Sequence, residues 1–193
     1  MAELTFEAGT HTYRLDGQEI PSVSRILEPL SRLAYGDVNQ HVLNLAAARG
    51  TDVHEAIEDY NLFGEYRISD GYEGYMQAYL KWYDLRNPEV IKTEVRIYHS
   101  LLMYAGTADL ICRTGGDMCL VDYKTSSKVQ DKIYRVQLEA YRQALERSGY
   151  SITRKLVLHL KNDGTFEEVL YPVSDMEAWR VFGALKTVYD YSR

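Results

Sequence analysis

Two aspartates and a lysine stand out in the stretch Tyr104–Ser127, YAGTADLICRTGGDMCLVDYKTSS. Asp109 and Asp122 each interrupt an apolar run, and Lys124 follows two residues after the second. If Gly115-Gly116 forms a two-residue turn, the runs pair as a hairpin in which Thr114 faces Asp117, Cys112 faces Cys119 and Asp109 faces Asp122. Opposed residues share a face, with Cβ atoms about 4.5–5.5 Å apart, and Lys124 lies on that face too. Carboxylates so close repel, and in a half-buried setting one is driven to take up a proton. A divalent cation removes the conflict, because it needs oxygen ligands and brings the missing charge. Acid, acid and amine on one face therefore suit phosphodiester hydrolysis. The cation would act as Lewis acid and water activator, and the amine would contact a phosphate oxygen or help orient and deprotonate the water. A lone Asp-x-Lys is more often an ordinary cross-strand ion pair. Here the apolar flanks AGTADLI and CLVDYK weigh against solvated charges.

The elements that must position these residues follow from periodicity and turn signals. Thr10–Val23 reads as a hairpin turning at Asp16-Gly17, and Ser22 then caps a short helix, Val23–Leu30. A helical region is expected from about Asp37 to Leu62, interrupted near Gly50, with Thr51 as a fresh N-cap and Asp52 and Glu55 in the first turn. In Asp70–Leu85, Tyr72, Met76, Tyr79, Leu80 and Tyr83 recur at helical spacing. Val90–Tyr98 alternates as a strand, with Ile91, Thr93, Val95 and Ile97 on one face and Glu94 on the other. Asp131–Gly149 is a helix with Gly149 just past its end. Lys155–Val173 is a second hairpin turning at Asp163-Gly164, and a last helix opens with a capping box of Ser174 and Glu177. This order predicts an α/β domain whose central sheet is covered on both sides.

Composition sets bounds on the function. At 193 residues without repeats or linkers, one domain is expected. No run of about 18 apolar residues occurs, and the opening MAELTFEAGTHTYRLDG lacks the basic flank and apolar segment of a secretory signal, so a cytoplasmic location is the expectation. Two cysteines, Cys112 and Cys119, are too few for a four-thiolate zinc or iron–sulfur site. They are read as packed thiols on the opposite side of the hairpin from the acids. No Gly-rich phosphate loop is present, so no nucleotide cofactor is expected. A net charge of −6 argues against holding nucleic acid by bulk electrostatics, leaving local basic residues such as Arg32, Lys128, Lys132 and Arg135 to do so.

Together, AGTADLI, LVDYKTSS, the helix carrying QLEAY and the upstream RGTDVHEAIE resemble the RecB-type branch of the PD-(D/E)XK nuclease superfamily. That group includes small phage exonucleases and the mitochondrial genome-maintenance exonuclease. HTYRLDGQEIPSVSRIL also resembles the N-terminal segment of the phage members. The resemblance implies a restriction-endonuclease-like core, a central mixed sheet flanked by helices, with an N-terminal helical extension. Residues 1–65 would bring the hairpin and the helices carrying His54, and residues 66–193 the sheet core.

By this resemblance His54, Asp109, Asp122 and the main-chain carbonyl of Tyr123 would hold Mg2+ or Mn2+, and Lys124 would be the catalytic lysine. Gln137 and Tyr141, four apart on one helix face, match the family's Q-x-x-x-Y motif, which helps hold the active site and the DNA strand. Ser24, Arg25, Glu94, Ser126 and Lys128 are candidate substrate-binding residues. Glu94 is either a further acid beside the metal or the solvent side of its strand, and Glu55 and Glu58 are read as solvating their helix. The implied activity is a metal-dependent DNA exonuclease of phage or prophage recombination or repair, with a recombination single-strand-annealing or replication protein as partner. A structure-specific endonuclease and a non-cleaving binding module on the same fold are the alternatives.

Overall fold

The computed structural model describes residues 3–36 and 38–193; the expected helix start at Asp37 lies outside them. A small antiparallel sheet comes first: β1 (Leu4–Glu7), β2 (Thr12–Leu15) and β3 (Gln18–Ile20), in that order. β1 was not expected. β2 and β3 turn at Asp16 and Gly17, both at positive φ (49° and 81°), as a two-residue hairpin loop matched to strand twist requires.

Ser22 does cap α1, its hydroxyl accepting from the Arg25 N–H at 3.1 Å, but α1 spans only Val23–Ile26. A separate α2 (Glu28–Tyr35) follows, with a proline in its first turn. α3 (Gln40–Phe63) runs unbroken through Gly50 and Thr51, so the expected interruption and N-cap are absent. A mid-helix glycine costs about 1 kcal/mol. Burying side chains such as Val53 and Ile57, both fully inaccessible, returns roughly 1.5–3 kcal/mol each, and packing therefore overrides the local breaker. α4 (Glu73–Arg86) completes the N-terminal helices.

The central sheet has the order β4 (Glu89–His99), β5 (Tyr104–Thr114), β6 (Asp117–Lys124), β7 (Arg154–Leu160), β8 (Phe166–Tyr171). All neighbours are antiparallel except β6 and β7, which are parallel and are joined through α5 (Asp131–Arg147), as a parallel pair needs a crossover. The sheet is therefore mixed. Helices α1, α5 and α6 (Met176–Tyr191) cover one face with a core that includes Ile97, Tyr104, Ile111, Leu120, Leu138 and Phe182. Helices α3 and α4 cover the other, around Ile57, Tyr79, Trp82, Leu110, Val121 and Leu158. Cys112 and Cys119 are free, buried thiols opposed to one another within this second core. At α6 the cap is Asp175, which accepts from the Ala178 N–H at 3.0 Å, instead of the expected Ser174.

α5 is locked to its surroundings by a buried ionic knot. Glu139 and Lys155, both inaccessible, are paired. Arg142 donates to Glu139 at 2.6 Å, and the Asp175 N–H reaches Glu139 at 3.3 Å. The knot ties α5 to β7 and to the start of α6, which fixes the helix that carries Gln137 and Tyr141. Among the described residues no helix is long and apolar enough to cross a membrane.

Candidate active site

The Gly115-Gly116 turn has positive φ at both residues (58° and 91°), and the hairpin register is the expected one: Leu110 faces Val121, Cys112 faces Cys119 and Thr114 faces Asp117. Continuing it brings Asp109 opposite Asp122. Asp109 is 7% exposed and Asp122 1%. Asp109 Oδ2 accepts from the Tyr123 N–H at 2.7 Å, which pins one of its oxygens to β6.

α3 delivers His54 to this point. Its Nε2 lies 3.2 Å from the Tyr123 carbonyl oxygen, and because a carbonyl only accepts, Nε2 carries the proton. In the neutral ring Nδ1 is then the lone-pair nitrogen, and it lies 3.7 Å from Asp109 Oδ1 and 4.0 Å from Glu94 Oε1. Ligand atoms of His54, Glu94 and Asp109 all lie within 4.8 Å of one another. Three lone-pair donors facing inward need a shared cation or proton.

Protons meet that need in the metal-free chain. Burial raises the Glu94 carboxyl to about 8, with Asp109, Glu58 and Asp122 adding to the rise. Asp122 is pushed up to about 6, by burial first and against the pull of Lys124. Burial alone would lower Lys124, but Asp122 and Asp109 outweigh it and hold the amine above its ordinary value. Lys124 Nζ sits 2.5 Å from Asp122 Oδ2, yet neither Asp122 oxygen has a properly directed hydrogen bond. The donor set fits a dication: carboxylate oxygens suit magnesium or manganese, and the imidazole favours manganese of the two.

Glu94 reaches the cluster by an unusual backbone. It lies in the middle of β4 between Thr93, which pairs with Leu110, and Val95, which pairs with Ala108, yet its φ is +45°. For a non-glycine strand residue such a conformation costs on the order of 1–3 kcal/mol and concentrates at functional sites. Simple alternation gave no hint of it.

These residues line one cleft of about 1040 Å³, together with Ser24, Ser126, Gln137 and Tyr141. Gln137 Nε2 donates to Tyr141 Oη at 3.0 Å, which leaves the phenol proton free to face the cleft. Burial holds that phenol well above its ordinary pKa. Gly106 lets β5 pass beneath the ring, since a Cβ there would meet Tyr141 Cε1 at 2.6 Å. The Tyr123 carbonyl is engaged by His54.

Other expected residues lie elsewhere. Arg25 pairs with Glu19 at 3.6 Å and does not line the cleft. Lys128 is not a lining residue either; its carbonyl accepts from Ser126 at 2.8 Å. Arg32 is paired with Glu28, and Arg135 with Asp175 and Glu177. Glu55 and Glu58, read as solvating their helix, also line the cleft, Glu55 exposed and Glu58 partly buried. Burial, then Asp59 and Glu55, raise the Glu58 pKa. Sequence reasoning missed Arg49, Lys92, Arg96 and Thr125. Glu58, one helical turn beyond His54, was the one legible addition.

Residues 67–182 match the sequence profile of the PD-(D/E)XK nuclease superfamily; the match begins beyond His54. The chain is similar in structure to an alkaline exonuclease, LHK-Exo, from Laribacter hongkongensis, with a TM-score of 0.51 and 12% identity over 89% of this chain and 86% of that one. It is also similar to LHK-Exo in complex with dAMP (TM-score 0.45, 14% identity, 90% and 87% covered) and to SSO0001 (0.41, 13%, 74% of each). The likeness to LHK-Exo is one of fold: the restriction-endonuclease-like α/β arrangement, with its N-terminal helical region, that the motifs implied. No curated protein matches the sequence.

Proposed function

The chain belongs to the PD-(D/E)XK nuclease superfamily, and from that premise we propose that it is a divalent-metal-dependent DNA exonuclease of the RecB type, serving phage or prophage recombination or repair. The observation that carries the proposal is the inward convergence of His54 Nδ1, Glu94 and Asp109 beside a charged lysine that neighbours a buried aspartate. The named metals are magnesium and manganese. Residues 1–65 supply His54 and residues 66–193 the sheet, as one catalytic unit. The site is reached by diffusion from the cytoplasm of a bacterial host, with a recombination or replication protein as partner.

His54, Glu94 and Asp109 would hold the cation, with Asp122 alongside. When bound, it supplies Lewis-acid stabilisation of the phosphoryl oxygens and a more acidic water. The chain's own groups do the rest. Asp109 and Asp122 position the water that attacks phosphorus. Lys124 stays protonated, so it places a cation against the charge that grows on the phosphoryl oxygens. Its Nζ can pass a proton to the departing oxygen as the P–O bond breaks, while Asp122 takes up the proton that the attacking water loses and returns it to the amine. Gln137 holds Tyr141, whose free phenol proton donates to the strand and fixes it for in-line attack.

The test is digestion of end-labelled linear single-stranded, linear duplex and closed circular DNA with magnesium or manganese. Loss of linear DNA, abolished by chelation, with circles spared, supports the reading. Nicking of circles at a comparable rate refutes the exonuclease assignment. No cutting under any divalent metal refutes nuclease activity.

A further inference from the structure

The cleft wall is acidic, with Glu55, Glu58, Glu94, Asp109 and Asp122 all facing in, yet the substrate strand brings a negative charge with every nucleotide. Most cations nearby are engaged. Lys124 is taken up by Asp122, and Arg49 lies against Thr125 Oγ1 and over the Tyr75 ring. Lys92 and Arg96 remain on the wall, and among the described residues neither lies within salt-bridge distance of a carboxylate.

Arg96 is nonetheless held in place. Its guanidinium carbon sits 5.4 Å over the centroid of Phe6. Phe6 is braced 4.5 Å from the ring of Tyr13, its register partner across β1 and β2. The Tyr13 hydroxyl bonds Thr107 Oγ1 at 2.8 Å, and Thr107 is the strand partner of Arg96. The four residues close a ring, Arg96–Phe6–Tyr13–Thr107, that joins the small N-terminal sheet to the central one. The sheets are further pinned by the Ala105 N–H donating to the Pro21 carbonyl at 2.9 Å. A free cation is thus pre-organised on the cleft wall, two residues along β4 from Glu94, a step of about 6.6 Å.

We infer that Arg96 binds a backbone phosphate of the substrate strand adjoining the one being cleaved, and that the N-terminal sheet braces it there. The inference rests on the nuclease reading and deepens it. The guanidinium fork suits phosphate, and its fixed plane means that little freedom is lost on binding. Phe6, Tyr13 and Thr107 are positioning residues.

The test uses end-labelled single-stranded and duplex DNAs, each with one linkage replaced by a neutral methylphosphonate, cut with magnesium by the unaltered chain, Arg96→Gln and Phe6→Leu. The unaltered chain should slow roughly 10- to 100-fold when one particular linkage beside the scissile bond is neutral. Arg96→Gln should cut unmodified DNA slower by a similar factor and be indifferent to neutralisation at that linkage. Phe6→Leu keeps apolar contact with Tyr13 while freeing the guanidinium, and should fall between. Equal discrimination by Arg96→Gln and the unaltered chain overturns the inference. So does even slowing at every linkage, which marks Arg96 as a bulk neutraliser of the acidic wall. Cutting by the unaltered chain without any sensitive neighbouring linkage overturns this inference alone, whereas absence of metal-dependent cutting overturns the nuclease reading and this inference with it.

Discussion

Gly106→Ala should damage both stability and catalysis, because β5 passes directly beneath Tyr141. A Cβ at this position falls 2.6 Å from Tyr141 Cε1 and 3.4 Å from Cδ1 and Cζ. Carbon atoms pack at about 3.5–4.0 Å, so the ring must retreat by about 1 Å. It is 5% exposed and tethered at Oη by Gln137, which leaves little room. Overpacking of this kind costs roughly 1–3 kcal/mol, and a stretched Gln137 hydrogen bond adds about 1 kcal/mol. The sum, about 2–4 kcal/mol, lowers Tm by roughly 5–15 °C for a chain of this length. Thermal unfolding followed by circular dichroism reads the stability, and initial cleavage rates measured well below the new Tm read the site. A double-mutant cycle isolates the cause: in a Tyr141→Leu background, Gly106→Ala should cost less than about 1 kcal/mol. An unchanged Tm for the single variant, or an equal loss in both backgrounds, would refute the reasoning.

Lys124→Met should retain the fold and lower the cleavage rate about 10²- to 10⁴-fold, read on end-labelled DNA; undiminished cutting would remove Lys124 from the mechanism. For Glu94, a folded pKa of about 8 against an ordinary 4.5 means that the folded chain holds the extra proton. Its stability contribution is therefore complete below pH 4.5 and lost as pH rises through about 8. In chelator, Tm should fall from pH 6 to pH 8, manganese should restore it most at the upper end, and Glu94→Gln should flatten the trend; a level chelator profile contradicts the assignment. Glu139→Gln strips Lys155 of its buried partner, costs about 3–5 kcal/mol and lowers Tm by on the order of 10 °C, and a Tm within a degree or two of the original would show that the knot contributes little.

The sequence was most informative where local rules act alone. Gly115-Gly116 dictates a turn, the turn dictates the register, and the register places Asp109 opposite Asp122. Gly149 ended α5 as its left-handed conformation (φ +87°) demands. Local rules failed where tertiary packing dominates. α3 ignores Gly50 because its following turns are buried, and α6 is capped by Asp175, which Arg135 and Ala178 also engage. The site was half legible for the same reason. His54 came through the motif it sits in, and Glu94 was named as a candidate acid beside the metal, but the backbone reversal that brings it there is not announced by alternation. Arg96 acquires meaning only when β1, unrecognised from sequence, lays Phe6 across it. The expected basic residues Arg32 and Arg135 are lost to partners one helical turn away and on α6, pairings that composition cannot reveal.

The imidazole and the Tyr123 carbonyl that receives it are separated by 69 residues, with α4, β4 and β5 made in between. A nascent or partly melted chain can form the two-aspartate hairpin early, since that needs only neighbouring residues. It cannot add His54 until the long helix has settled onto the finished sheet. Under the proposed mechanism, completion of the tertiary structure is therefore what assembles the site.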